Sequence, residues 1–254
     1  MADIAVLLKQ VPDTNAKIVL SDGRVDESVI KKWSMSPYDE YALEAALSLG
    51  GSITAITCGP DRSKKMLTDA AAVGASDLLH ISVDDLSTLD SIRLSNILAA
   101  AVKKTGASVV FCGKQAADTN AGSTGPNVAN LLGSSCVTMV SELTGDSSGF
   151  VALRPSPDGM EKVSVSSPCV ISFDKTSNEL RRPNVKGIMM AKKKAIESIS
   201  PDDLGVSTKF ELHMASHHFC GLKAPEEKSA GQMFEGAECV ADVVSKLRSE
   251  AKVI

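Results

Sequence analysis

The chain has 254 residues, 43% of them hydrophobic and 23% charged, with a formal net charge of −4 and a pI near 5.6. That length allows one large domain, or a domain with an extension, around a sizeable core. The acidic balance argues against general nucleic-acid binding, and no apolar run approaches membrane-spanning length. Aromatic content is only 4%, so the core must be built from Ala, Val, Ile and Leu.

Met1-Ala2-Asp3-Ile4 leads directly into Ile4-Ala5-Val6-Leu7-Leu8, a continuous apolar run typical of a central parallel strand, and no secretory or transit-type leader is expected. Lys9 to Lys31 is polar and turn-rich, with Asp22-Gly23 as a hairpin signal. Ser36-Pro37 starts a helix whose Tyr41, Ala42, Ala45, Ala46 and Leu49 fall at helical spacing, and Gly50-Gly51 stops it. The strand Ile53 to Cys58, a helix from Asp61 to Val73 closed by Gly74, and the strand Leu78 to Ile81 follow. A long helical stretch from about Thr88 to Lys104 then precedes the strand Ala107 to Cys112.

Next comes a loop of Gly, Ala, Ser, Thr and Asn, from Gly113 to Gly125, opening into a helix over Pro126 to Leu132. Gly122 and Gly125 allow close backbone approach, and the free N–H groups of a helix start favour an anion. Pro126 suits the first helical position and Ser123 or Thr124 can cap it. Neither a Walker loop nor G-x-G-x-x-G is present, so pattern alone leaves two readings: a phosphate site, or an ordinary capped strand-to-helix connection. Strands alternating with helices predict right-handed crossovers and an α/β fold, a mainly parallel doubly wound sheet of Rossmann-like type. Ligands bind such sheets beyond the carboxyl ends of the strands, so Leu7, Cys58 and Cys112-Gly113 can converge on one crevice.

After Gly133 the strands shorten. Val137 to Val140, Val151 to Leu153, Lys162 to Val165 and Cys169 to Phe173 are separated by turns, and some are expected as antiparallel additions to the sheet. From about Asn178 periodicity fades, until a last helix from about Ala237 to Ala251 places Val240, Val243, Val244 and Leu247 on one apolar face. The segment is long for a connection within one domain. It reads either as an extended arm lying on another subunit or as a loose tail with its helix folded back. The resulting division is an α/β domain over 1–185 and a docking loop with a C-terminal arm over 186–254.

Catalytic and metal signals are sparse. There is no G-x-S-x-G, no His-Glu-x-x-His and no phosphate-binding Gly-Lys-Ser/Thr. Asp118 in the loop would repel a phosphate unless turned away, so shaping the loop or capping its amides is the expected role. His213, His217 and His218 have i, i+4 spacing, but no Cys or carboxylate completes a familiar ligand set, and no metal site is expected. The six cysteines (58, 112, 136, 169, 220 and 239) form no C-x-x-C pair; four lie in or beside strand-like runs and read as reduced, buried thiols.

Gly113-Lys114-Gln115-Ala116-Ala117-Asp118 followed by Thr124-Gly125-Pro126 resembles the nucleotide-binding loop of the β subunit of electron transfer flavoprotein. Other matches occur in order: Lys9-Gln10-Val11-Pro12-Asp13, Cys58-Gly59-Pro60, Ala72 to Asp77, Ile188 to Lys194, and Glu250 to Ile254. The resemblance implies an electron carrier and not an enzyme. This chain would pair with an α subunit holding most of the FAD site. Electrons would come from dehydrogenases, such as those for acyl-CoA, and leave to a quinone reductase or similar acceptor. It implies a cytoplasmic location, or the mitochondrial matrix in a eukaryote.

Carried over position by position, the crevice residues for a structural AMP are Leu7, Ser36, Pro37, Tyr38, Asp39 and Cys58. The loop adds Gly113, Lys114, Gln115, Ala116, Ala117, Asp118, Thr119, Asn120, Ala121, Gly122, Ser123 and Thr124. Family members often have Asn where Ser36 stands. In an electron-bifurcating branch the same crevice holds a second FAD, and D-T-x-A-T-S is typical there; this chain has Asp90-Ser91-Ile92-Arg93-Leu94-Ser95. Leu94 removes a donor that a second diphosphate would use, which favours AMP. The family also implies a loop that docks dehydrogenases, with Val185 as its apolar anchor, while Lys192, Lys193 and Lys194 read as a solvated face or as a patch steering acidic partners. A stress-type ATP-binding protein of similar fold is the rival class; it would explain the loop but not the lysine run or the arm.

Overall fold

The computed structural model describes residues 3–146, 148–176, 178–206, 221–226 and 231–254. Its strands and helices follow in order as β1 (Asp3–Leu7), β2 (Gln10–Pro12), β3 (Leu20–Ser21), β4 (Arg24–Val25), β5 (Trp33–Met35), α1 (Pro37–Leu49) and β6 (Ser52–Gly59). Then come α2 (Lys64–Val73), β7 (Asp77–Ser82), α3 (Ser91–Thr105), β8 (Val109–Gly113), α4 (Thr124–Leu132) and β9 (Ser135–Val140). The last elements are β10 (Glu142–Asp146), β11 (Gly149–Ser156), β12 (Gly159–Ser166), β13 (Cys169–Phe173), α5 (Val185–Ala191), β14 (Glu197–Ile199) and α6 (Val240–Ser249).

Seven strands form one sheet in the order β14-β7-β6-β1-β8-β13-β9, and every pairing in it is parallel. The two-residue period of a strand sorts its side chains between the faces. Ile4, Val6, Val109, Phe111 and Ile171 face α1 and α2, where they meet Leu43, Ala46, Leu67 and Ala70. Ala5, Leu7, Val110, Cys112 and Val170 face α3 and α4, against Ile97, Leu98, Val102 and Val128. Phe111 packs edge-on against Phe150 and Phe173, so three of the chain's few aromatics meet on one face.

The helix ends have local causes. Pro37 is the first residue of α1, with Asp39 and Glu40 in the same turn, and Gly50 stops the helix at φ +74°. The long helical stretch begins at Ser91, because the Asp90 side chain accepts the Arg93 N–H at 2.8 Å and fixes the start there; Gly106 ends it in the left-handed region. Asp22 and Gly23, at φ 51° and 72°, make the hairpin turn between β3 and β4.

Some outcomes differ from the sequence reading in detail. β9 is a parallel outer strand of the main sheet, whereas β10, β11 and β12 form an antiparallel sheet of their own. Phe150, Ala152 and Val165 of that sheet turn into the core, and the residues between them face outward. Cys58, Cys112 and Cys169 are buried and reduced, but Cys136 is exposed because β9 is an edge strand. Cys220 and the histidine cluster at 213, 217 and 218 lie outside the described residues. Among the described residues no group of His, Cys, Asp or Glu could hold a metal, and no helix is long and apolar enough to cross a membrane.

Beyond residue 185 the chain is still tied to the sheet: α5 packs on α2, and β14 pairs with β7. α6 buries none of its residues; Val240, Val244 and Leu247 are exposed.

Candidate functional site

The chain leaves β1 outward through β6 and β7, then returns to place β8 on the other side of β1. That reversal makes β1 and β8 the switch point of the sheet, and a crevice opens beyond their carboxyl ends. Leu7, Leu8 and Lys9 line it from β1, Cys58 from β6, and Cys112 to Ala116 from β8 and the loop after it. Asp39 and Thr124 reach it from the starts of α1 and α4, and Leu86, Leu94 and Leu98 form an apolar wall.

Of the residues expected at the site, Leu7, Asp39, Cys58, Gly113, Lys114, Gln115, Ala116 and Thr124 come together on this wall. Ser36, Pro37, Tyr38 and residues 117–123 are not among the residues that line it. Ser36 is fully buried, and its hydroxyl has no hydrogen-bond partner among the described residues. Leu8, Lys9, Leu86 and Leu98 were not expected at the site from the sequence, although Lys9 opens a motif quoted for the resemblance. Leu98 follows Leu94 by one helical turn, a spacing that places both on the same face.

The crevice is held by a set of polar ties. Asp39 accepts the Lys9 backbone N–H at 2.7 Å and the Gly113 backbone N–H at 3.0 Å. Burial pushes its carboxyl up to about 7, against the pull of those two amides. Gly113 is required by packing, because a Cβ there would lie 2.5 Å from Asp39 Oδ1 and 2.7 Å from Tyr38 Cβ. Lys114 pairs with Asp174 at 2.9 Å and sits over the Tyr38 ring at 4.9 Å; the Asp174 hydrogen bond raises its pKa. Asp118 pairs with Lys9 at 2.8 Å and accepts the Thr119 N–H, which fits a role in shaping the loop.

At α4, Ser123 makes no capping hydrogen bond, and Pro126 is the third helical residue, not the first. The Ser123 side chain therefore leaves the first amides of α4 uncapped. Asn120 and Gly122 adopt φ of 52° and 67°, which turns the loop before the helix. Gly125 lets α4 close on the sheet, since a Cβ would stand 3.1 Å from Cys112 Sγ. Both thiols at the crevice are poor nucleophiles: burial pushes Cys58 up to about 12 and raises Cys112 as well. Uncapped helix amides and the Thr124 hydroxyl form a donor set suited to a phosphate, beside an apolar leucine wall.

The family profile described as electron transfer flavoprotein domain matches residues 28–204. Among curated proteins, the chain is 34% identical to the electron transfer flavoprotein subunit beta of Bacillus subtilis, covering 99% of this chain and 100% of that one. It is 31% identical to the human protein of the same name, over the full length of both. It is also 31% identical to that of Thermoanaerobacterium thermosaccharolyticum, covering 97% of this chain and 98% of the relative.

Proposed function

Because the chain belongs to the electron transfer flavoprotein family, as a β subunit, we propose that it forms half of an electron carrier and holds one AMP in the crevice between β1 and β8. The supporting observation is the uncapped start of α4 facing a wall of Leu86, Leu94 and Leu98. The phosphate is assigned to the Thr124 region and the adjoining loop, and the adenine to the leucine side. Leu94 offers no hydrogen bond there, which favours a mononucleotide over the diphosphate of a second FAD.

AMP in this reading is structural, and electron transfer depends on an FAD held mainly by an α subunit. What this chain supplies is a stable wall for that partner, together with surfaces over 186–254 that meet other proteins. The apolar face of α6 is assigned to the α subunit. The exposed residues of α5 are assigned to donor dehydrogenases, with a quinone-linked or similar acceptor receiving the electrons. A bond-breaking role has little support, since the carboxylates and thiols at the crevice are tied or buried. The location assigned is the cytoplasm, or the mitochondrial matrix, in line with the rice relative whose printed name includes "mitochondrial".

Acid extraction of the chain co-purified with its partner subunit tests the assignment. AMP and FAD in equal amounts are expected. Two FAD with no AMP would move the chain to the bifurcating branch, and a colourless ATP-binding homodimer would overturn the carrier reading.

A further inference from the structure

We propose that Asp39 is a positioning residue of the nucleotide crevice: its carboxylate joins the open ends of β1 and β8, and so sets where Lys9 and Gly113 stand, without itself holding the nucleotide. The inference rests on the AMP reading of that crevice.

β1 and β8 pair in parallel up to Leu7 and Cys112, and past that point the ladder between them stops. Neighbouring amides find other acceptors: Leu8 N–H reaches the Ile56 carbonyl at 2.9 Å, and Lys114 N–H the Phe173 carbonyl at 2.7 Å. The Lys9 and Gly113 amides lie between these, and Asp39 takes one with each oxygen, at 2.7 Å and 3.0 Å. It is the third residue of α1, where a carboxylate ordinarily caps its own helix. Here it points into the sheet and is only 6% exposed. Both oxygens are committed to protein donors, and both donors belong to residues that line the crevice.

The clamp needs the ionised carboxylate. A protonated acid turns one oxygen into a hydroxyl, which donates where an acceptor is required. Burial pushes the Asp39 carboxyl up to about 7, the two amides and the Lys9 ammonium pull it down, and Asp118 pushes it up. The Cys112 thiol of β8 also interacts with it electrostatically, and its α1 neighbour Tyr38 carries Lys114, paired with Asp174, over its ring. Acid therefore loosens the clamp, and nucleotide affinity falls as pH drops through about 7. Folding stability runs the other way. A carboxyl raised from 3.8 to about 7 contributes stability that is full below 3.8 and lost as pH rises through 7. A merely structural Asp39 would move the two together.

The experiment uses the full chain in the complex in which it is isolated, stripped of nucleotide. AMP is titrated at pH 6 and pH 8 for wild type and Asp39→Asn, and the exchange of the Lys9 and Gly113 amides is followed without AMP. Wild type is expected to bind about tenfold more weakly at pH 6, the change produced by one proton titrating near 7, beyond the share due to AMP's own phosphate. Asp39→Asn, nearly isosteric, should bind weakly at both values and show only that phosphate share. Its Lys9 and Gly113 amides should exchange faster. Wild-type exchange in the variant overturns the clamp. Faster exchange with unchanged AMP affinity overturns the positioning role. A wild-type complex that takes up no AMP overturns the AMP reading instead, and the exchange rates still decide the clamp.

Discussion

The Lys9 ammonium stands 2.8 Å from the Asp118 carboxylate, and the pair ties the end of β1 to the loop that leads into α4. It spans 109 residues of sequence, and its Lys9 half lines the crevice. Both side chains are roughly a quarter exposed, so the pair adds only about 0.2–1 kcal/mol to folding. Its larger consequence is electrostatic, because it cancels a positive charge beside the proposed phosphate site.

Opposite effects are expected from its two halves. Asp118→Asn leaves Lys9 positive and removes a repelling carboxylate, so AMP affinity should rise a few-fold and depend more steeply on salt. Lys9→Met leaves Asp118 alone, and affinity should drop. Calorimetric titration of stripped protein reads both, and changes of the same sign would mean that the pair acts only by holding the loop.

Two glycines at the site should differ sharply in tolerance. At Gly113 a Cβ meets backbone and a buried carboxylate at 2.5–2.8 Å, contacts that cannot be relieved by turning a flexible chain end. At Gly125 the nearest atom is Cys112 Sγ at 3.1 Å, which needs only a slight shift. Gly113→Ala should therefore cost about 2–3 kcal/mol in denaturant unfolding and release the nucleotide, while Gly125→Ala should cost less than about 1. The reverse order would show that the Tyr38-Asp39 turn yields more readily than its packing suggests.

This contrast marks how far the sequence could be read. The apolar runs Ile4 to Leu8, Ile53 to Cys58 and Val109 to Cys112 gave themselves away as buried parallel strands, and the Gly-Ser-Thr loop after the last one marked the crevice. Asp39 was picked only by resemblance, as a ligand contact. Its partners lie 30 and 74 residues away, and no local pattern reports a bond over such separations. The leucine wall was half-legible: Leu94 stood out against a family motif, whereas Leu86 belongs to a short turn without periodicity. The capping of α4 was misjudged because Ser, Thr and Pro at a helix start are equally compatible with several first residues.

Glu44 and Arg181 supply a pH-dependent tie. Arg181 bonds the Glu44 carboxylate through its backbone N–H at 2.9 Å and through its guanidinium at 2.7–3.2 Å, fastening the segment after β13 to α1. Burial raises the Glu44 pKa, but the hydrogen bonds from Arg181 and Ser48 outweigh it and leave it below 4.5. A depressed carboxyl contributes stability that is present above its unfolded value of 4.5 and lost as pH falls through the folded one. Arg181→Ala should destabilise by about 1–3 kcal/mol at neutral pH, since the carboxylate is left largely buried while the guanidinium was half exposed. The loss should shrink on acidification below 4.5; a penalty constant from pH 3 to 7 would assign Arg181 to packing alone.

The last expectation concerns α5. Val185, Met189 and Met190 are 75%, 60% and 61% exposed, an apolar cluster on a helix that is itself firmly seated. Asn184 caps its start through the Gly187 N–H at 2.7 Å, and Gly187 lies so close to α2 that a Cβ would come within 2.4 Å of the Ala72 carbonyl. A rigid helix presenting exposed Val and Met suits the proposed docking of a dehydrogenase. Val185→Ala should then cost about 1–2 kcal/mol of partner binding, from the two methyl groups lost. That is a rise between several-fold and about thirtyfold in the dissociation constant. Thermal stability should be unchanged, because an exposed side chain gives up little on folding. Lys194 donates to the Ala75 carbonyl at 2.8 Å and is held on the body of the protein, so Lys192 and Lys193 are the two to change without disturbing that tie. Changing those two to Gln should slow association and flatten its salt dependence, with little effect on dissociation. Binding kinetics with a donor dehydrogenase separate the two contributions. Unchanged dissociation for Val185→Ala, with unchanged electron transfer from the donor, would remove α5 from the docking surface.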